Sequence, residues 1–333
     1  MRLPANFFEH SPRQRGVAII TALLVVVLAA GIATYLLAQQ SHALTRTARA
    51  TGRAQAGLYA APTLDYARAL LAAALLKSPY VSNRQSWAQG LSALPIENAI
   101  ASGVIHDEAG KFNLNNLVLN RQTPSAPDIA IFRRLLTELK LNPDLADAVI
   151  DWIDEDSEPS PAGAEDSYYM NLPSPYRAAN QPLVQWQELA RVRGFDSATV
   201  QRLAPFATAL PSRTMVNLNT APAEVLAALF PQLASSDIAT MVRVRETLPY
   251  RNVDAAELQT RPELQKLKPA DFNAIASFAS ASSDFFTILI GISSDGTQVG
   301  QTALVQRTSP QTPPQSLPGS QTGWPRIIWV QTQ

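Results

Sequence analysis

Between Asp144 and Asp166 the chain carries nine carboxylates (Asp144, Asp147, Asp151, Asp154, Glu155, Asp156, Glu158, Glu165 and Asp166) and neither lysine nor arginine. Charge at that density repels itself unless the segment is fully solvated or encloses a cation. Hard oxygen ligands in a loop suit Ca²⁺, which takes six to eight of them. Asp154, Asp156, Glu158 and Glu165 even fall at positions 1, 3, 5 and 12 of an EF-hand loop. Position six, however, is Pro159 where that loop needs a turning glycine, and Pro161 stiffens the segment further. The segment is therefore not an EF-hand. Two readings stay open on the residues alone. One is a calcium-ordered loop of another shape, pinned by Tyr168, Tyr169, Tyr176 and Trp186; the other is a disordered acidic surface loop.

Little else in the chain could do chemistry. Cysteine is absent, which removes disulfides, thiolate metal sites and thiol nucleophiles together. Of three histidines, His10 and His42 flank an apolar run, and His106 reads as a surface residue of a strand. No nucleophile elbow, H-E-x-x-H helix, P-loop or dinucleotide fingerprint occurs, so no enzyme class is supported. Lys plus Arg and Asp plus Glu both number 27, so no overall charge attracts nucleic acid or anionic lipid.

The acidic stretch lies inside one copy of an internal repeat. "FNLNNLV" (112–118) resembles "VNLNTAPAEVL" (216–226). Each copy continues into an apolar-periodic helix, "DLADAVIDWID" (144–154) and "DIATMVRVRE" (237–246). Next come Pro175-Tyr176-Arg177 and Pro249-Tyr250-Arg251, then Asn180 and Asn252, then Glu188-Leu189 and Glu257-Leu258. A closing helix ends each copy, "SATVQRLAPFATAL" and "PADFNAIASFASA". These matches in one order describe two small helical modules in tandem, of a SAM-like or helix-hairpin-helix-like kind, at 112–210 and 211–281. Between helix and P-Y-R the second copy has only "TLP", whereas the first has about 20 residues including the acidic run. The acidic loop is thus an insertion into a module that folds without it.

The modules need a carrier. Residues 17–38, "VAIITALLVVVLAAGIATYLLA", contain no charge, and as a helix they span about 33 Å, enough to cross a bilayer core. Three arginines precede the run (Arg2, Arg13, Arg15) and three follow it (Arg46, Arg49, Arg53), so the positive-inside rule gives no orientation. A short basic leader ending in Gly16 before an apolar residue has the layout of a prepilin leader, 1–16, whose peptidase leaves the helix on the mature protein. Helical patterning continues over 39–80, with Leu64, Ala67, Leu71 and Leu75 on one face and Pro62 expected to kink or restart the helix. "ASGVIHDEAGKFNLN" reads as a hairpin, with strands near Gly103–Asp107 and Lys111–Leu114 around a turn at 108–110. "DFFTILIGIS" and "QVGQTALVQR" read as strands about a Ser294-Asp295-Gly296 turn, followed by a Pro/Gln/Ser/Gly linker at 308–323 and a last strand, "RIIWVQ". Because a lone hairpin is marginal in water, one shared sheet from 81–111 and 282–333, packed on the stem helix, is expected. The fold class is therefore α+β: a pilin-like transmembrane stem helix on an antiparallel sheet, with a large inserted all-α domain.

With these pieces in place, the chain resembles the general secretion pathway protein K family, the minor pseudopilins of type II secretion systems. The resemblance spans nearly the whole chain and rests on "RQRGVAIITALLVV", "GKFNLNNLV", "VIDWIDED…GAEDSYY…PYRAANQPL…ELARVRGF" and "VNLNTAPAEVLAAL". It implies cleavage after Gly16 and N-methylation of Val17 by the prepilin peptidase. It also implies a single-pass protein of the inner membrane, periplasmic C-terminal to its helix, in complex with minor pseudopilins I and J at the tip of a pseudopilus of pseudopilins G and H. A calcium site in the helical domain is implied too. Onto this sequence that carries Asp154, Asp156, Glu165 and Asp166 as ligands. Asn180 and Glu188 complete the candidate set, although the second module has counterparts of both without an acidic loop. Most pilins carry Glu at the fifth mature position; here it is Thr21, and the protein K family is similarly exceptional.

The rival reading is a membrane-anchored DNA-binding protein, since N-L-N-T-A-P-A-E-V-L opens like a helix-hairpin-helix. Such a hairpin uses glycines whose backbone N–H groups approach phosphate, and "LFPQLASSD" has none.

Overall fold

The computed structural model describes residues 13–75, 78–294, 297–307 and 324–332. Leader residues 1–12 with His10, the turn residues Asp295 and Gly296, and the linker 308–323 lie outside the described residues.

Helix α1 (Arg13–Leu75) opens the described chain, and its stretch Val17–Leu44 is apolar and long enough to cross a membrane by length and composition. Among the described residues that stretch packs on nothing. Beyond it the helix turns one face inward. Ala56, Ala60, Leu64, Ala67, Leu71 and Ala74 are buried, spaced three or four residues apart as helical periodicity requires. Pro62 does not restart the helix, contrary to expectation from its missing N–H. The apolar face on either side of it, at Ala60 and Leu64, is clamped on the sheet, and one lost backbone bond does not undo that packing.

The face is covered by one antiparallel sheet. Strands β1 (Leu91–Ile96) and β2 (Ala99–Asp107) form a hairpin. The expected hairpin of 103–107 with 111–114 is not formed. Asp107 instead caps a 3-10 turn by accepting from Ala109 N at 2.9 Å, and the chain leaves the sheet there. Both modules follow. The first holds β3 (Phe112–Asn113), β4 (Val118–Leu119), β5 (Thr123–Pro124), α2 (Ala126–Glu138), α3 (Leu145–Ile153), α4 (Asp166–Tyr169), α5 (Ser197–Leu203) and β6 (Ala207–Thr208). The second holds β7 (Val216–Asn217), α6 (Ala223–Leu229), α7 (Ser235–Arg245), α8 (Ala255–Gln259), α9 (Pro269–Ile275) and β8 (Ala279–Ser280). The chain then returns to the sheet as β9 (Phe285–Ser294), β10 (Thr297–Gln306) and β11 (Arg326–Thr332), in the order β1-β2-β9-β10-β11. All four ladders are antiparallel, so two sequence-distant strands, β2 and β9, are neighbours with the modules looped out between them.

Alternation along β9 explains the layering. Phe286, Ile288, Ile290 and Ile292 are buried with the α1 face, while Phe285 joins Leu210 and Leu304 in a small cluster of its own. Gly52 sets how closely stem and sheet approach, because a Cβ there would lie 2.7 Å from Thr297 Oγ1 at the start of β10.

The modules share one core and one local plan. In each, a short strand at the N-L-N motif pairs in parallel with the strand that closes the module, β3 with β6 and β7 with β8. The second asparagine of the motif ties back to the backbone: Asn115 bonds both N–H and C=O of Leu183, and Asn219 bonds both of Tyr250. Downstream, Glu188 accepts from Val184 N and Gln185 N, and Glu257 from Arg251 N and Asn252 N. The repeat register is therefore Leu183 with Tyr250, not Tyr176 with Tyr250. The P-Y-R at 175–177 belongs to the insertion, and Asn180 has no counterpart in the second module.

Asp107 joins sheet to modules. Its Oδ2 accepts from Asn217 Nδ2 at 2.9 Å and from Thr220 Oγ1 and Ser283 Oγ at 2.6 Å each. Burial pushes this carboxyl above the usual range, and the hydrogen bonds oppose that. Asp107→Ala should take the acceptor from Ala109 N, Thr220 Oγ1 and Ser283 Oγ, while Asn217 Nδ2 keeps Val81 O, and cost about 3 kcal/mol or more, read as a lowered unfolding midpoint. Asp107→Asn should cost less, and an alanine variant as stable as the parent would show that this joint holds nothing.

Candidate metal centre

The acidic loop is a built structure. Helix α3 ends at Asp154, whose extended backbone (ψ 165°) turns the chain outward. Glu165 then precedes α4, where its carbonyl accepts from Tyr168 N and Tyr169 N. Asp156 Oδ1 accepts from Glu158 N at 2.8 Å, which folds the chain into a tight Asx turn. As a result Asp154, Asp156 and Glu165 each bring one carboxylate oxygen to within 4.8 Å of the others.

Four oxygens at this place are buried without a hydrogen-bond partner: Asp154 Oδ1, both of Glu165 and Asn180 Oδ1. Asn180 sits at φ 46°, its Nδ2 donating to Asp156 O at 3.2 Å and its own carbonyl accepting from Arg121 Nη2 at 3.0 Å. The Asn180 amide is thereby fastened to the loop beside the carboxylates. Burial first, then the charges of Asp156 and Asp151, push Asp154 up to about 7. Glu165 is also pushed up to about 7, by burial first and then by Asp151, Asp154, Asp156 and Asp166. Unpartnered buried oxygens whose ionisation is this unfavourable fit a hard divalent cation, which would supply the missing partner and the opposing charge at once.

Two of the proposed ligands stand apart from this group. Asp166 Oδ1 accepts from Ala178 N at 2.9 Å and its Oδ2 lies 3.7 Å from Arg177 Nε, so it fastens the segment that leads to Asn180. Glu188 Oε1 is engaged by Val184 N and Gln185 N as the cap of the 3-10 turn Trp186–Arg191.

A frame surrounds these residues, and its polar ties come from Ser160, Ala162, Gly163 and Arg193. Asp151 accepts from Ser160 N at 3.0 and 3.1 Å, and Asp147 from Ala162 N at 3.3 Å. Arg193 Nη1 donates to Gly163 O at 2.6 Å, its guanidinium lies 5.0 Å from the Tyr168 ring centre, and its N–H donates to Tyr169 Oη. Tyr169 is buried between Trp152 and Tyr176, with ring centres at 5.2 and 5.3 Å. Of the four expected pins, the three tyrosines surround the loop; Trp186 packs on the module core.

Residues 110–212 match a family model described as "Type II secretion system (T2SS), protein K", and residues 216–287 match a second of the same description. The chain is 32% identical to type II secretion system protein K of Klebsiella pneumoniae, over 89% of this chain and 93% of that one. It is 35% identical to the Pseudomonas aeruginosa protein of that name, over 65% and 68%. Its fold is similar to a chain in the crystal structure of the GspK-GspI-GspJ complex of the enterotoxigenic Escherichia coli type 2 secretion system, with TM-score 0.72, 25% identity, and coverage of 86% of this chain and 99% of that one.

Proposed function

The chain belongs to the type II secretion system protein K family, and on that premise we propose that it caps the tip of a pseudopilus beside minor pseudopilins I and J. In this reading the apolar stretch of α1 lies in the inner membrane, the rest of α1 with the sheet and modules lies in the periplasm, and the protein helps initiate assembly of the fibre. The family assignment replaces the DNA-binding alternative.

The observation that carries the capping role is the insertion of about 170 residues between the adjacent strands β2 and β9. Repeated along a helical shaft, a bulge of that size would collide with its neighbours; at the tip it meets none above. Thr21 supports the same position. Its hydroxyl is satisfied within α1, 3.0 Å from both Val17 O and Ala18 O, and it offers no charge to a neighbour's N-terminal ammonium in low dielectric. At the tip no subunit precedes it, so no such ammonium needs neutralising. Immunogold against this protein should label about one fibre end and no shaft, and Thr21→Glu should be tolerated. Gold spread evenly along the fibre would refute the capping role.

Processing belongs to the same reading. Mature protein should begin at Val17, N-methylated, and replacing Gly16 by a bulky residue should leave the leader attached. N-terminal sequencing that returned Met1, or a start beyond residue 30, would rule this out.

The carboxylates Asp154, Asp156 and Glu165, with the Asn180 amide, are the residues that would hold Ca²⁺ and so order the insertion. The four unpartnered buried oxygens support that assignment.

A further inference from the structure

The net charge of zero conceals a local imbalance. From His10 to Leu64 the chain contains no Asp or Glu, yet Arg46, Arg49 and Arg53 follow the apolar run. Their spacing of three and four residues places them along one side of α1. Arg46 and Arg53 are exposed and make no ion pair or hydrogen bond within the described residues.

Their height is set by the helix. The apolar stretch ends at Leu44, and the sheet begins to cover the stem at Gly52, where Thr297 approaches. Eight residues separate these points, about 12 Å of helix. Arg46 and Arg49 therefore lie on α1 between the end of the membrane-length stretch and the lower edge of the sheet, and Arg53 lies one residue past that edge, the three forming one belt. Helical side chains lean toward the N-terminus, which here means back toward the bilayer. The exposed stems of Arg46 and Arg53 are long enough to reach several ångströms in that direction, toward headgroup level.

The geometry points to this belt as a docking surface for anionic phospholipid headgroups on the outer face of the membrane that α1 crosses. The inference rests on the proposed orientation, N-terminus inward. In that orientation, loss of the leader removes Arg2, Arg13 and Arg15, and the remaining arginines near the span all lie outside. Positive charge on that side runs against the usual bias. Among the described carboxylates at this edge of the sheet, Glu97 is engaged by Tyr59 Oη at 2.8 Å; phosphate groups of anionic lipid supply opposite charge at headgroup depth, and guanidinium pairs with phosphate in a fork geometry. The belt would hold an unassembled subunit upright at a fixed depth, its sheet clear of the bilayer.

The test uses the full mature chain in nanodiscs of phosphatidylcholine alone or with a third phosphatidylglycerol, followed by hydrogen exchange. Amides of 45–53 should exchange more slowly in the anionic discs, by about fivefold for each arginine engaged. High salt should reverse the difference, and the triple substitution Arg46→Gln, Arg49→Gln, Arg53→Gln should erase it. Equal exchange of 45–53 in both lipids would overturn the proposal, as would slowing that requires added pseudopilins and not anionic lipid, which would assign the belt to a neighbouring stem. Residues 17–38 should be protected in every disc; free exchange there would instead overturn the membrane orientation itself. Unchanged protection of β9 shows that the substituted chain is folded.

Discussion

Adding millimolar calcium to chelated protein is expected to raise its melting midpoint, and Glu165→Gln is expected to remove most of that rise while leaving the metal-free form at least as stable. The reason lies in the cost of the empty carboxylate group. Asp154 and Glu165 are buried, their free oxygens have no partner, and both carboxyls are pushed up to about 7. Binding that stabilises only the folded state contributes about 2.7 kcal/mol at a hundredfold excess over Kd. At about 2–4 °C per kcal/mol for a chain of this size, the midpoint should move by about 5–10 °C. A glutamine at 165 removes one charge from a crowd of like charges, so the metal-free protein gains what the calcium form loses.

The same shifts fix the direction of the pH dependence. A carboxyl whose folded-state pKa is raised above its unfolded value binds protons more tightly in the folded state. Its contribution is complete below the unfolded value, about 4 for Asp and Glu, and is lost as pH rises through the folded value near 7. Without metal, stability should therefore fall between pH 4 and 7 and level off above. Burial pushes Asp107, Asp151 and Asp284 up as well, so the metal-free slope is shared among several groups. The calcium-dependent part isolates the site: the rise in midpoint should be larger at pH 8 than at pH 5, because protons compete with the ion for Asp154 and Glu165. Identical melting in chelator and in calcium at pH 8 would sink the metal assignment.

Gly163→Ala is expected to cost more than its size implies, lowering native stability and abolishing the calcium response. A Cβ at 163 would lie 1.9 Å from Asp151 Oδ2 and 2.5 Å from its Cγ, far inside contact distance. Either that carboxylate or the loop must move. Moving Asp151 releases Ser160 N from both oxygens, and moving the loop breaks the Arg193 bond to Gly163 O. Overpacking of this kind together with unpaired buried groups costs about 2–4 kcal/mol. Gly57→Ala makes the control, since a Cβ there meets nothing within 4 Å in an exposed turn of α1 and should stabilise slightly. Melting of the two variants in detergent, each with calcium and with chelator, gives the comparison. A Gly163→Ala protein with native midpoint and full calcium response would show that the frame around Asp151 does not hold the site.

The sequence by itself determined whatever depends on local periodicity or on the absence of residue types. The uncharged run from Val17 to Ala38, the alternation of "DFFTILIGIS", the doubling of the N-L-N motif and the concentration of carboxylates after Trp152 were all legible, because each follows from the neighbours a residue has along the chain. Tertiary structure decided what depends on partners far away. "KFNLN" looked like the return strand of a hairpin, but its Phe112 and Asn113 pair in parallel with Ala207 and Thr208, nearly a hundred residues later. Pro62 looked like a break, but the sheet holds the helix through it. The P-Y-R motifs looked equivalent, but Asn219 selects Tyr250 while Asn115 selects Leu183, so register is read by hydrogen bonds and not by the letters. That correction makes Asn180 part of the insertion, its side-chain oxygen buried beside the carboxylates, and leaves Glu188 a cap. A cluster of charges can be counted in a sequence. Which of them lose their water is decided only by the fold around them, which buries Asp154 and Glu165 and leaves Asp156 exposed.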